Sequence, residues 1–183
     1  MFNLCFNFNQ PLNLDTSKVT DMYGMFWYAK SFNQPLNFDT GCVIDMDSMF
    51  IEAKLFNQPL NFDTGKVTDM DDMFFGAVSF NQPLNFDTSK VINMQEMFKC
   101  TRSFNQPLNW NTSNVIYMKE MFCNTLFNQP LNWNTSNVTN MQQMFHNADE
   151  FNQPLNFTNT SKVINMQQMF CCATSFNQPL NWD

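Results

Sequence analysis

A hexapeptide, Phe-Asn-Gln-Pro-Leu-Asn, recurs eight times along the chain and constrains the fold more than any other feature. Its phenylalanines lie 23 to 25 residues apart, at Phe8, Phe32, Phe56, Phe80, Phe104, Phe127, Phe151 and Phe176. A repeat of this length usually forms one structural unit that cannot bury its own apolar face, so neighbouring units stack to make a continuous core. The sequence therefore predicts a stack of similar coils rather than several separate domains.

Positions within each repeat are counted from the phenylalanine of the hexapeptide as position 1. On this count residues 1–183 are predicted to form a single solenoid domain. Full coils are predicted to start at residues 8, 32, 56, 80, 104, 127 and 151, with partial coils at 1–7 and 176–183. Both ends fall within a repeat and lack a recognisable polar cap, so we expect a longer array or ends that a partner covers.

The unusual composition follows from this repeat. Fourteen of the 15 methionines occupy positions 15 and 18, and all eight prolines occupy position 4. Charged residues make up only 14% of the chain and the net charge is −7, which argues against a nucleic-acid partner. No apolar run approaches the roughly 20 residues that span a bilayer, so no membrane insertion is expected.

Two patterns within the repeat predict its secondary structure. Positions 15, 18, 19 and 22 are Met, Met, Phe and mostly Ala, which is the spacing of one face of a short helix, and Asp or Asn at position 14 would cap it. Positions 5 to 7 alternate Leu, Asn and an aromatic residue, as in a short strand, and Val at position 12 indicates a second strand. The prediction is an α/β repeat solenoid of 24-residue coils, each with one or two short parallel strands and one short helix, joined by right-handed crossovers.

The pattern FNQPLNFDTSKVTDM, followed by MF and A, resembles the repeat of the BspA-like leucine-rich-repeat surface proteins, and it covers essentially the whole chain. The resemblance implies a right-handed leucine-rich-repeat-like solenoid. It also implies a cell-surface or secreted location and a role in adhesion and protein binding. It supplies no catalytic residues, because none are known for this class of repeat.

Positions that vary between repeats are the candidates for ligand recognition. In the first three coils, large apolar residues at positions 20 and 21 and acidic residues at positions 16 and 17 would form a docking patch. The candidate binding residues are Trp27, Tyr28, Ile51, Phe75, Asp47, Asp71 and Asp72. The alternative is that the apolar members pack against the next turn and bind nothing.

Asparagine at position 6 is present in all eight hexapeptides, which favours a structural role. We predict that these side chains form an amide ladder between coils. The predicted ladder consists of Asn13, Asn37, Asn61, Asn85, Asn109, Asn132, Asn156 and Asn181. The alternative is a polar strip that binds glycan or ice.

Three other residue types leave alternatives open. Acidic residues at positions 8 and 14 concentrate in residues 1–91, which have 5 positive and 11 negative charges, against 4 and 5 in residues 92–183. They favour turns and caps, with a calcium site or a docking face for a basic partner as alternatives. Threonine at position 9 favours local hydrogen bonds, with ice binding as the alternative. Cys100 and Cys123 fall on adjacent coils and could form a disulfide.

The sequence favours a non-enzymatic module that binds protein or glycan through an extended repeat surface. An enzyme is not expected, because the carboxylates come in ladders rather than one catalytic pair and His146 is the only histidine. No cofactor is expected. The alternative function is a structural element that assembles end to end, with a second copy of the chain as its partner.

Overall fold

The computed structural model of the chain describes residues 1–182. Within that range there is no α-helix, and the only β structure consists of seven isolated parallel bridges. The bridges join Asp21 to Asp45, Asp45 to Asp69, Asp69 to Asn93, Asn93 to Tyr117, Tyr117 to Asn140, Asn140 to Asn165, and Leu131 to Leu155. Six of the seven therefore connect position 14 of one coil to position 14 of the next, and the rest of each coil is built from turns and extended segments.

The prediction of an α/β repeat solenoid is wrong, because the coils have neither the short helix nor the short parallel strands. The leucine-rich-repeat-like description fails with it. The physical reason is a positive φ at positions 17 and 21 of every repeat, as at Ser48 (59°) and Glu52 (55°). A right-handed helix needs a negative φ at each residue, so it cannot pass through either position.

The backbone between positions 15 and 21 donates its hydrogen bonds to the next coil instead. The Ser48 N–H donates to the Asp71 carbonyl at 2.8 Å. The Phe50 N–H donates to the Met73 carbonyl at 2.9 Å. Tight turns lie between these donors, as where the Ile51 N–H bonds to the Ser48 carbonyl at 3.2 Å. Because the alternate N–H groups are used between coils, they are not available for the i to i−4 bonds of a helix.

The apolar face that the spacing predicted is confirmed by burial. In the second coil Met46, Met49, Phe50 and Ala53 are all fully buried. Consecutive tight turns, each closed by a hydrogen bond from an N–H to the carbonyl three residues earlier, follow one another along this segment. Positions 15, 18, 19 and 22 therefore point into the core without forming a helix. The spacing thus identifies the core residues correctly, although the α-helix that usually produces this spacing is absent from the described residues.

Phenylalanines at positions 1 and 19 form stacked columns through the core. The Phe50 ring centroid lies 4.3 Å from that of Phe56 and 5.6 Å from that of Phe74, with the Phe50 and Phe74 rings only 2° from parallel. Stacked pairs contribute about 0.5–1.5 kcal/mol each beyond the burial of their area. Stacking of identical rings therefore helps to hold neighbouring coils in register.

At positions 2 to 9 most hydrogen bonds between coils involve side chains, although the Asn156 N–H donates to the Leu131 carbonyl at 3.2 Å. Asn33 Oδ1 accepts the Asn57 N–H at 2.9 Å and Gln58 Nε2 at 3.1 Å. The Thr40 hydroxyl, only 2% exposed as a residue, donates to the Asp63 carbonyl at 3.0 Å. The threonine at position 9 therefore bonds the next coil rather than its own turn, and its burial does not suit an ice-binding surface.

Candidate functional site

A surface groove of about 240 Å³ crosses the first four coils. It is lined by Trp27, Tyr28, Ile51, Asp72, Phe75, Glu96 and Lys99, and we call it the aromatic groove. Five of the seven candidate binding residues line it, so the structure brings them together although they come from three different repeats. The other two candidates, Asp47 and Asp71, lie beside it.

The hydrogen bonds between coils explain why these side chains meet. The Tyr28 N–H donates to the Ile51 carbonyl at 2.7 Å. One coil further on, the Glu52 N–H donates to the Phe75 carbonyl at 2.7 Å. Position 21 of each coil is therefore bonded directly to position 20 of the next, and side chains at these positions form adjacent columns.

The apolar part of the groove is centred on Trp27. Its ring makes an edge contact with Tyr23 at 6.3 Å and a tilted contact with Tyr28 at 6.3 Å between centroids. Ile51 is buried, whereas Trp27, Tyr28 and Phe75 keep part of their surface exposed. The Trp27 Nε1 is buried and has no hydrogen-bond partner among residues 1–182. The groove thus combines partly exposed rings with an indole donor that the described chain leaves unpaired.

Asp72 supplies the acidic part of the groove. Its Oδ1 is buried and accepts no hydrogen bond from the described residues. Burial is the main cause that raises the pKa of Asp72 to about 7, and repulsion from Asp71, Glu96 and Asp47 adds to it. The Lys99 ammonium acts in the opposite direction but does not cancel these effects. Burial and the neighbouring carboxylates therefore bring the pKa of this group close to neutral pH.

Asp47 and Asp71 occupy position 16 beside the groove. Burial raises the pKa of Asp47 to about 6, although the Ser48 hydroxyl donates to its Oδ1 at 2.5 Å. Burial also raises the pKa of Asp71, although Gln95 and Asn93 each donate to its Oδ2 at 3.3 Å. Three partly buried carboxyl groups therefore lie together, and a cation placed near them would be attracted.

Lys99 closes the other end of the groove as part of a cluster of paired charges. Its Nζ lies 2.7 Å from Glu96, 2.5 Å from Glu120 and 5.3 Å from the centroid of the Phe75 ring. Lys119 lies 3.0 Å from Glu120 and 3.5 Å from Glu96. Burial acts to lower the pKa of Lys99, but its hydrogen bonds to Glu120 and Glu96 outweigh burial and raise the pKa overall.

Comparison with known proteins places the repeat in a family. A family described as "Mycoplasma protein of unknown function, DUF285" matches residues 1–62, 36–130 and 108–183. The chain belongs to this family. The three matches overlap and together span all 183 residues, and so include every copy of the repeat. No curated protein and no solved structure matches the chain.

In this DUF285 chain the asparagines at position 6 are all exposed. They are Asn13, Asn37, Asn61, Asn85, Asn109, Asn132, Asn156 and Asn181. Within residues 1–182 one pair of them is joined through its side chains, where Asn156 Nδ2 donates to Asn132 Oδ1 at 2.7 Å. The continuous amide ladder lies at position 2, as where Asn57 Oδ1 accepts the Asn81 N–H at 3.0 Å. Both positions are equally constant in sequence, so constancy alone could not distinguish them.

The other candidates from the sequence were the acidic residues at position 8, a metal site and a disulfide, and the structure gives each of them a different explanation. Asp63 Oδ1 accepts the Gly65 N–H at 3.0 Å, and Asp15, Asp39 and Asp87 make the same turn. No three His, Cys, Asp or Glu residues of the described chain are grouped so that they could hold a metal ion. Cys100 and Cys123 are free thiols, and burial raises the pKa of Cys123 to about 11. Among residues 1–182, no helix is present that could cross a membrane.

Proposed function

We propose that this DUF285 chain is a non-enzymatic binding module that docks a protein or glycan partner through the aromatic groove. The observation that carries the proposal is the grouping of Trp27, Tyr28 and Phe75 on one face, beside an unpaired carboxyl group of Asp72. Covering partly exposed rings removes apolar area from water, which stabilises a complex by about 25 cal/mol per Å². Aromatic residues in such positions commonly supply most of the binding energy of an interface.

The proposal includes a location at the cell surface or in the secreted fraction, with adhesion as the biological role. Its support is the resemblance of the repeat to that of the BspA-like surface proteins. A stack of coils offers an extended face on which variable side chains stand on a constant backbone. Such a surface suits recognition of a large partner better than enclosure of a small substrate.

The test is direct binding of the labelled chain to printed arrays of glycans and of overlapping peptides from extracellular proteins. We expect specific binding that Phe75→Ser weakens at least about tenfold, because a buried aromatic anchor is lost. Ile164→Ser is the matched control, since this exposed isoleucine (89% exposed) lies on a coil that does not reach the groove. Absence of any retained ligand, or equal loss in both variants at unchanged thermal stability, would contradict the proposal.

A second candidate function is end-to-end assembly, and one observation favours it. In each of the first six full coils the N–H groups at positions 15, 17, 19 and 21 donate to the next coil. The backbone of each coil therefore presents a regular edge of donors and acceptors, which a coil of a second copy could pair with in the same way. A mass that stays at 21.5 kDa by light scattering across a concentration series would remove this candidate.

A further inference from the structure

Ammonium groups of the chain already lie against two of the rings that line the aromatic groove. Lys99 Nζ is 5.3 Å from the Phe75 centroid, and Lys30 Nζ is 5.6 Å from the Tyr28 centroid. A cation over an aromatic face contributes about 0.5–1 kcal/mol at exposed sites and about 2 when it is desolvated. Between these two ends, no lysine or arginine of the described residues lies over Trp27. The Trp27 ring at the centre of the groove thus resembles the Tyr28 and Phe75 rings at its ends, but no ammonium group of the described residues lies against it.

Asp72, a carboxyl group that lines the same groove, also lacks a direct ion-pair partner. Among the described residues, Asp72 makes no ion pair, and its Oδ1 has no hydrogen-bond donor. Lys99 lies in the same groove, but its ammonium is held by Glu96 and Glu120. Asp72 therefore has no direct ion-pair partner within the described structure, and only the more distant Lys99 acts on its charge.

We infer that the aromatic groove binds a lysine or arginine side chain from a basic segment of a protein partner. The cationic head lies against Asp72, and the aliphatic stem covers the exposed part of Trp27. This inference rests on the proposed function and names the partner that the groove selects. Asp47 and Asp71 flank the head and add to its attraction, because long-range Coulomb energies near a protein surface sum over neighbouring charges.

A peptide fits the unpaired groups better than a neutral glycan does. A glycan hydroxyl can donate to Asp72 but brings no positive charge, so the repulsion among Asp47, Asp71 and Asp72 would remain. A basic peptide brings that charge together with an aliphatic stem that can cover the exposed part of the rings. Charge and apolar surface are therefore both supplied by one class of ligand.

The test measures the affinity of the whole chain for a fluorescein-labelled hexa-arginine peptide, with a hexa-glutamate peptide and a glycine–serine peptide as comparisons, in 0.1 M salt. We expect the arginine peptide to bind and Asp72→Asn to weaken it about tenfold, as loss of a charge-assisted hydrogen bond does. Asp87→Asn is the matched control, since it removes the same charge from an exposed turn and should change the affinity less than about twofold. Asparagine tolerates the positive φ of Asp72 (54°), so the variant should retain the fold.

The outcomes separate this inference from the proposed function. Equal weakening by the two Asn variants would show diffuse attraction to an acidic chain and would overturn the inference. Failure of the arginine peptide to bind, while the arrays reveal a ligand that Phe75→Ser abolishes, would also overturn it but leave the binding module intact. If the arrays reveal no ligand and the arginine peptide does not bind, both proposals fail. A thermal unfolding midpoint within a few degrees of wild type confirms that each variant is folded.

Discussion

The coils of residues 32–79 and those of residues 80–126 share one backbone conformation. Their carboxyl groups at position 17, however, have opposite electrostatic surroundings. Asp72 and Glu120 both occupy position 17 and have almost the same φ, 54° and 55°. Asp72 has no ion pair among the described residues and a pKa raised to about 7. For Glu120 burial acts to raise the pKa, but hydrogen bonds from Lys99 and Lys119 outweigh it and the pKa is lowered. The backbone therefore decides where a carboxyl group lies, and the variable neighbours decide whether it is compensated.

The difference teaches where function should be sought in such a stack. In residues 80–126 Lys99 and Lys119 pair with Glu96 and Glu120, so this cluster has little unpaired charge to offer a partner. Residues 32–79 contribute Ile51, Asp72 and Phe75 to the aromatic groove, where an unpaired carboxyl group lies beside partly exposed rings. A repeat with a constant backbone can therefore carry a structural cluster and a candidate binding groove in adjacent coils.

The largest effect is expected where the two regions share one core. Phe74 is fully buried, and its ring lies 4.2 Å from Phe80 and 5.7 Å from Phe98. Phe74→Ala should lower the free energy of unfolding by about 3–5 kcal/mol, because it removes a large core side chain and leaves a cavity. Urea unfolding followed by circular dichroism measures it. Phe75→Ala is the control, and a loss as large as that of Phe74→Ala would refute the difference in burial between these neighbours.

An intermediate effect is expected from removing the cation that distinguishes the two regions. Lys99→Met leaves Glu96 and Glu120 without their closest partner, so the free energy of unfolding should fall by about 1–3 kcal/mol. The pKa of Glu120 should also rise, which would make it resemble Asp72. Urea unfolding and a carboxyl NMR titration report the two quantities. The exposed Lys90→Met is the control, and similar results for both variants would mean that the cluster is not specifically stabilising.

The smallest effect is expected from pH. The raised pKa values of Asp72 and Asp47 mean that the folded chain holds protons which the unfolded chain has released. These two groups therefore make stability fall as pH rises from about 4 to about 7, and the loss is complete above the folded pKa of Asp72. Asp72→Asn should reduce the fall between pH 5 and pH 8. Urea midpoints at the two pH values test this, and identical slopes for wild type and variant would count against an uncompensated Asp72.

Much of the core was predictable, because the spacing of apolar residues along the repeat identified the buried positions even though the expected helix is absent. Met46, Met49 and Phe50 point inward as the pattern requires. Five of the seven groove residues were candidates from the sequence, because Trp27 and Phe75 stand out at a position where later repeats have Lys, Cys and His. Glu96 and Lys99 were missed, because nothing in the repeat pattern distinguishes them as partners of that patch. That the structure brings the five candidates into one groove does not test binding, which stays a prediction. The ladder was harder to predict, since Asn at positions 2 and 6 is equally constant in sequence and only the structure shows that position 2 bonds the next coil throughout.

The secondary structure was not predictable from the repeat, and the reason lies at positions 17 and 21. Residues with a positive φ are usually glycine, yet only Gly24 and Gly76 are glycines there, and Tyr28 and Glu52 adopt the same conformation. By itself the sequence determined the period, the core and the places where variation is allowed. Only the tertiary structure decided the backbone, because the hydrogen bonds that compensate an unfavourable φ come from the neighbouring coil, more than 20 residues away.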